Sequence, residues 1–239
     1  MTALVLTAHG SKDPRSAANA RAVADRLALM RPGLDVRLAF CELNAPSLGQ
    51  VLDGLAGTRR AVVTPLLLAN AYHARVDIPR QIDACAAAER VRLAPVLGED
   101  ERLVSVLRQR VMELGASRLD DTLGVLIVSI GSSDSTANAR TRQVAPRLLE
   151  STRWVAATTA FATRPQPSLA DAVDALRARG ARRVVVAPWF LAPGLLPDRV
   201  RRFADSAGLE MAAPLGAHRL VAETVLSRFD QAAAERIAA

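Results

Sequence analysis

Ala8-His9-Gly10-Ser11 in the first half of the chain and Ser129-Ile130-Gly131-Ser132 in the second are two copies of one turn, 121 residues apart. At the same offset Phe40 falls on Phe161, and Ser47-Leu48 on Ser168-Leu169. Pro65-Leu66-Leu67-Leu68-Ala69 is matched by Pro188-Trp189-Phe190-Leu191-Ala192, and Ala94-Pro95 by Ala213-Pro214. Order and spacing persist through each half, so the 239 residues hold one unit twice. The division expected from the repeat is 1–118 and 119–239.

Each copy alternates two kinds of segment. Continuous apolar, β-rich runs occupy 3–8, 36–41, 61–68 and 91–96, then 124–130, 154–160, 183–190 and 210–215. Stretches of helical period lie between them, as at 17–30, where Val23, Leu27 and Met30 share a face. Strands without polar alternation are covered on both faces, and strand–helix–strand order makes the sheets parallel. The expected fold is therefore α/β: two similar open parallel-sheet domains with a cleft between. Pro32-Gly33 and Gly180 mark helix ends.

Composition removes several classes of function. The formal net charge is +7, which suits an anionic partner such as a polycarboxylate, a phosphate, nucleic acid or acidic lipid. Aromatic residues are only 3%, too few for single-strand stacking platforms, and the arginines are dispersed, so nucleic acid is not expected. Lys12 is the sole lysine, and no G-x-x-x-x-G-K-[ST] or G-x-G-x-x-G occurs, so no nucleotide cofactor is expected. No apolar run reaches the ~18 residues of a membrane span. The run at 3–8 follows the first residues with no basic leader, against a secretory signal. Two cysteines, Cys41 and Cys85, fit a reducing compartment, the cytoplasm.

Ligands of open parallel sheets bind beyond the carboxyl ends of the strands. His9 directly follows the first strand, Glu42 follows the second, and His73 lies in the connection after the third. Two imidazoles and a carboxylate are a ligand set for a borderline divalent metal, and equally a base with a partner for proton transfer. The second copy is an internal control: His9 becomes Ile130, Glu42 becomes Thr163, and His73 falls near Leu195 and Leu196. The turn residues Gly10 and Ser11 are kept in both copies, while the chemically able ones stand in one. Several neighbours carry two readings. Gly10-Ser11 opens a helix, so it is an anion-binding turn or a structural one. Lys12, Arg15, Arg75 and Arg80 hold acidic groups of a ligand or form a solvated face. Glu42 could cap the next helix. Cys41 is expected to be packing rather than a thiolate ligand, and His218 a surface residue at a helix start.

His9-Gly10-Ser11-Lys12-Asp13-Pro14-Arg15, then Phe40-Cys41-Glu42 with Pro46-Ser47-Leu48, then Pro65-Leu66-Leu67-Leu68 with His73-Ala74-Arg75-Val76-Asp77-Ile78-Pro79, resemble the sirohydrochlorin chelatases of the long CbiX/SirB type, the class II chelatases. The likeness spans essentially the whole chain. One departure is Ala69-Asn70-Ala71-Tyr72, where that family usually carries a glycine just before the histidine. The resemblance implies a chelatase-like fold and ATP-independent insertion of Fe²⁺ or Co²⁺ into sirohydrochlorin. It also implies metal handling by His9 and His73, with Glu42 as the acidic helper. Iron, giving sirohaem, is the expected metal, since the chain has no histidine-rich tract of the kind that would hint at cobalt handling. A cobaltochelatase for cobalamin and a non-catalytic metal or tetrapyrrole carrier are the alternatives. The internal duplication implies a monomer, with the second copy walling the cleft.

Overall fold

The computed structural model describes residues 2–55, 60–163 and 167–234. The first repeat begins β1 (Thr2–Ala8), α1 (Pro14–Met30), β2 (Val36–Phe40), α2 (Leu48–Asp53), β3 (Arg60–Pro65), α3 (Ile78–Asp83), β4 (Val91–Leu93) and α4 (Glu101–Met112). The second continues β5 (Leu123–Ser129), α5 (Ser135–Arg142), α6 (Val144–Leu149), β6 (Ala156–Phe161), α7 (Leu169–Ala178), β7 (Arg183–Pro188), α8 (Leu195–Ser206), β8 (Glu210–Met211) and α9 (Arg219–Ala234). All eight expected strands form, each within a few residues of its apolar run. The longer runs overshoot because their last residues turn out of the sheet into the connections.

Two four-stranded sheets result, ordered β2-β1-β3-β4 and β6-β5-β7-β8, and every pairing is parallel. The registers repeat as well: Ala8 sits opposite Phe40 in one sheet, and Ser129 opposite Phe161 in the other. Burial explains the apolar runs. Residues Ala3 to Leu6 are fully buried in β1, as are Val125 to Val128 in β5. On one face of the first sheet Ala3, Val5, Ala61 and Val63 pack with Leu48 and Leu52 of α2 and Ile78 and Ile82 of α3. In the second sheet Leu126, Val128 and Val186 pack with Val173 and Leu176 of α7 and Val200 of α8.

The local signals act as their chemistry requires. Asp13 caps α1 by accepting from the Arg15 amide, and Pro14 starts the helix, where its missing N–H costs nothing. Ser47 and Gln50 form a reciprocal capping box on α2, and Ser168 and Asp171 repeat it on α7.

The units of packing differ from the expected division at residue 118. One unit comprises the residues up to Gly98 together with those from Ala217 onward; the other is Glu99–Gly216. Helix α9 ends the second repeat in sequence but packs on α1, β3 and β4. Helix α4 ends the first repeat but packs on α6 and β7. The terminal helices of the two repeats are thus exchanged. Both carry a buried apolar face, which records that the helix is buried and not which sheet buries it. Arg228 of α9 fixes the exchange by donating to the carbonyls of Val96 and Leu97 at 3.1 and 3.0 Å.

Candidate active site

The strand order β2-β1-β3 places the direction reversal of the first sheet at β1 and β3, where open α/β sheets bind ligands. His9 leaves β1 there. The first turn of the segment after β3 begins with His73. Their rings stack with centroids 4.0 Å apart and planes tilted by 37°. Glu42, just past β2, brings Oε1 to 3.4 Å from His9 Nε2. The three residues expected from sequence therefore meet at one sheet edge.

Backbone bonds hold the arrangement. The Glu42 amide donates to the His9 carbonyl at 3.0 Å, and the Cys41 amide to the Ala8 carbonyl at 2.9 Å. Gly10 takes φ +98°, and a Cβ there would lie 1.8 Å from the Glu42 carbonyl oxygen, so only glycine lets the two loops approach. The Ser11 amide donates to Asn44 Oδ1 at 2.7 Å, and Ser11 Oγ accepts from the Asp13 amide at 3.0 Å. In the second copy the Ser132 amide donates to Asn138 Oδ1 at 2.8 Å, and Ser132 Oγ accepts from the Asp134 amide. These amides are already satisfied in both copies. The Ser11 N–H thus has a protein acceptor, as its counterpart Ser132 has in the second copy.

Each imidazole has one ring nitrogen at a carboxylate. His9 faces Glu42 through Nε2, while His9 Nδ1 is buried with no hydrogen-bond partner. His73 Nδ1 lies 2.6 Å from Asp77 Oδ2. Burial holds the His9 pKa below its usual 6.5, and the neighbouring His73 charge lowers it further, against smaller opposing effects of Glu42 and Asp77. His9 is therefore a neutral base at neutral pH. Tyr72 stands edge-on to His73 at 6.1 Å, with most of its ring exposed.

The remaining candidates separate clearly. Cys41 is half-buried, and its burial, with Asp77 and Glu42 nearby, pushes its thiol up to about 11, so the metal-free thiol is protonated at neutral pH. Arg15 is paired with Asp13, Nη2 to Oδ2 at 2.6 Å, which neutralises its charge locally. Lys12, Arg75 and Arg80 are exposed, the last two on the segment that carries His73. His218 caps α9: its Nδ1 accepts from the Leu220 amide at 3.1 Å. Glu42 makes no cap on α2, since Ser47 does. Among the described residues no three of His, Cys, Asp and Glu converge tightly enough to enclose a metal ion. The arrangement is an open pair of imidazoles flanked by carboxylates.

Asp77 is the functional candidate that reading the chain did not single out. His73 and Asp77 are four apart, a spacing that brings side chains together on a helical turn. The signal was hidden because residues 69–73 read as loop. In fact His73–Asp77 form a π-helical turn closed by the Ile78 amide on the His73 carbonyl.

The second copy preserves the frame and loses the chemistry. The Thr163 amide donates to the Ile130 carbonyl at 3.1 Å, just as Glu42 does to His9, and Thr163 Oγ1 donates to the same oxygen at 2.6 Å. Ile130 and Leu195 are exposed apolar side chains, 46% and 70% accessible.

Duplicated four-stranded parallel sheets, with paired histidines at the reversal point of only one of them, define a chelatase-type α/β protein. A CbiX family profile matches residues 3–114 and again 124–232. The chain belongs to the CbiX family. It is 29% identical over 211 residues to a sirohydrochlorin ferrochelatase of Priestia megaterium, covering 84% of this chain and 77% of that one. It is also 29% identical over 215 residues to a sirohydrochlorin cobaltochelatase of the same organism, covering 84% and 67%. SirB from Bacillus subtilis with Fe³⁺ superposes with a TM-score of 0.84 at 22% identity, over 99% of this chain and 97% of that one, a likeness of fold.

Proposed function

We propose that this chain inserts Fe²⁺ or Co²⁺ into sirohydrochlorin without nucleotide hydrolysis, using His9, His73 and Glu42. The observation that carries the reading is the pair of imidazoles stacked at 4.0 Å at the reversal point of the first sheet, each with one nitrogen at a carboxylate. Support comes from both Priestia relatives, which act on sirohydrochlorin with one metal or the other.

Insertion replaces two pyrrole N–H protons by one divalent ion, with no change of oxidation state. The ion must exchange water for imidazole nitrogen and then leave for the macrocycle. A closed three- or four-ligand site would retain it, whereas two imidazoles with water in the other positions release it. His9, kept neutral by burial, accepts a pyrrole proton, and half-exposed Glu42, 3.4 Å from its Nε2, passes it to solvent. Arg75 and Arg80 suit the carboxylates of the substrate. The first repeat, 1–118, then holds the site and the second, 119–239, the degenerate copy. The same reading makes the protein a cytoplasmic monomer without nucleic-acid or membrane partners. Among the described residues no helix is long and apolar enough to cross a membrane.

The test is anaerobic turnover of sirohydrochlorin with excess Fe²⁺ or Co²⁺ and no ATP, followed by the absorbance of the macrocycle. Many turnovers are expected, abolished by His9→Ala and by His73→Ala with circular dichroism unchanged. Capture of one equivalent without turnover would make the chain a carrier instead. The ratio of kcat/KM for the two ions assigns the metal.

A further inference from the structure

We infer that Asp77 is a positioning residue that selects the Nδ1–H tautomer of His73 and so keeps a lone pair on Nε2 for the metal. The inference rests on the proposed chelatase reading for its catalytic consequence, but not for the tautomer itself.

The contact is His73 Nδ1 to Asp77 Oδ2 at 2.6 Å, the length of a short charge-assisted hydrogen bond. An ionised carboxylate only accepts, so the proton of this bond belongs to Nδ1. In a neutral imidazole one nitrogen donates and the other accepts, which leaves Nε2 as the ligand nitrogen. A carboxylate on the far nitrogen of a ligating histidine also fixes the ring and raises its basicity.

Helix capping does not account for this carboxylate. Asp77 is the residue before α3, yet its side chain makes no capping bond to that helix. The π-helical turn aligns Asp77 with His73 through main-chain bonding alone, the Ile78 amide to the His73 carbonyl. His9 is held differently. Its carboxylate partner, Glu42, approaches Nε2 and at a longer distance, 3.4 Å. The two imidazoles are thereby oriented through opposite nitrogens. His73 Nε2 is the nitrogen left open on its ring, and Glu42 stands farther from His9 than Asp77 does from His73.

The experiment compares the full-length parent with Asp77→Ala and the near-isosteric Asp77→Asn. Histidine ¹⁵N NMR at pH 8 reads the His73 tautomer in the metal-free protein, and steady-state chelation reads kcat and KM. The parent and Asp77→Asn should show the Nδ1–H form, since the Asn oxygen still accepts, and Asp77→Ala should shift toward Nε2–H. In Asp77→Ala kcat should fall about 10–100-fold with KM for sirohydrochlorin within about threefold, and Asp77→Asn should retain more. An unchanged tautomer in Asp77→Ala overturns the inference. So does a changed tautomer with undiminished kcat, or equal losses in both variants. If the parent itself shows no turnover, the chelatase reading fails while the tautomer measurement still stands or falls alone.

Discussion

The rings of His9 and His73 lie 4.0 Å apart, close enough that a charge on His73 disfavours a proton on His9. Burial opposes charge on His9 most strongly, and a charge on His73 opposes it further.

His9 should therefore titrate below 6.5, its ordinary value, in a histidine NMR experiment on the metal-free protein. His73→Ala should move that midpoint upward by removing a repelling charge, and Glu42→Gln should move it downward by removing an attracting one. Stability follows the same sign. Between pH 6.5 and the lower folded value, the unfolded chain binds more protons at this position, so His9 makes the fold less stable as pH falls through that window. A midpoint at or above 6.5, unmoved in His73→Ala, would refute the coupling.

Gly10 is the residue on which the site's geometry depends. Gly10→Ala combines a left-handed φ, worth about 1–2 kcal/mol, with a Cβ that collides with the Glu42 carbonyl at 1.8 Å. Gly33 has a similar φ of +87° but nothing within 4 Å of the place a Cβ would take, so Gly33→Ala isolates the backbone strain. Urea unfolding should show a clearly larger loss for Gly10→Ala. Chelation should drop more than about tenfold in that variant alone, because a displacement of order 1 Å at a reacting group costs that much or more. Equal behaviour of the two variants would detach the loop contact from activity.

Much of this arrangement was readable along the chain, and the exceptions share one cause. The repeat located eight strands, and strand ends located His9, Glu42 and His73, because period and adjacency are local properties. Asp77 and Asn44 were not visible as partners. Asp77 needs His73 to be helical, which a loop-like Ala-Asn-Ala-Tyr stretch conceals. Asn44 reaches Ser11 across 33 residues, through a turn with Leu43 at φ 60°. The exchange of α4 and α9 was hidden for a different reason: an apolar helix face records that it is buried, not which of two equivalent sheets buries it.

That exchange can be tested by its energetics. Phe229 of α9 is 5% exposed within a helix that packs on β3 and α1. Phe229→Ala should destabilise the unit containing the active site by about 3–5 kcal/mol. Hydrogen exchange should show the loss in β1 and β3 and not in β5 and β7. Loss confined to β5 and β7 would return α9 to the other sheet.

The last expectation concerns charge near the site. Arg75 and Arg80 are exposed on the segment that begins with His73, and the chain carries a net +7. A single exposed ion pair contributes about 0–1 kcal/mol, and salt screens it over a Debye length of about 8–10 Å. Several such pairs on one polycarboxylate can still set an apparent KM. Arg75→Ala and Arg80→Ala should each raise KM for sirohydrochlorin by about two- to fivefold, with kcat nearly unchanged, since binding common to ground and transition states is what is removed. Added salt should raise KM in the parent and do so less in the double variant, whose charge is already gone. If kcat falls instead, the arginines act on the reacting centre. If neither salt nor substitution moves KM, the two side chains are a solvated face, and the positive charge of the chain has no part in recognising the substrate.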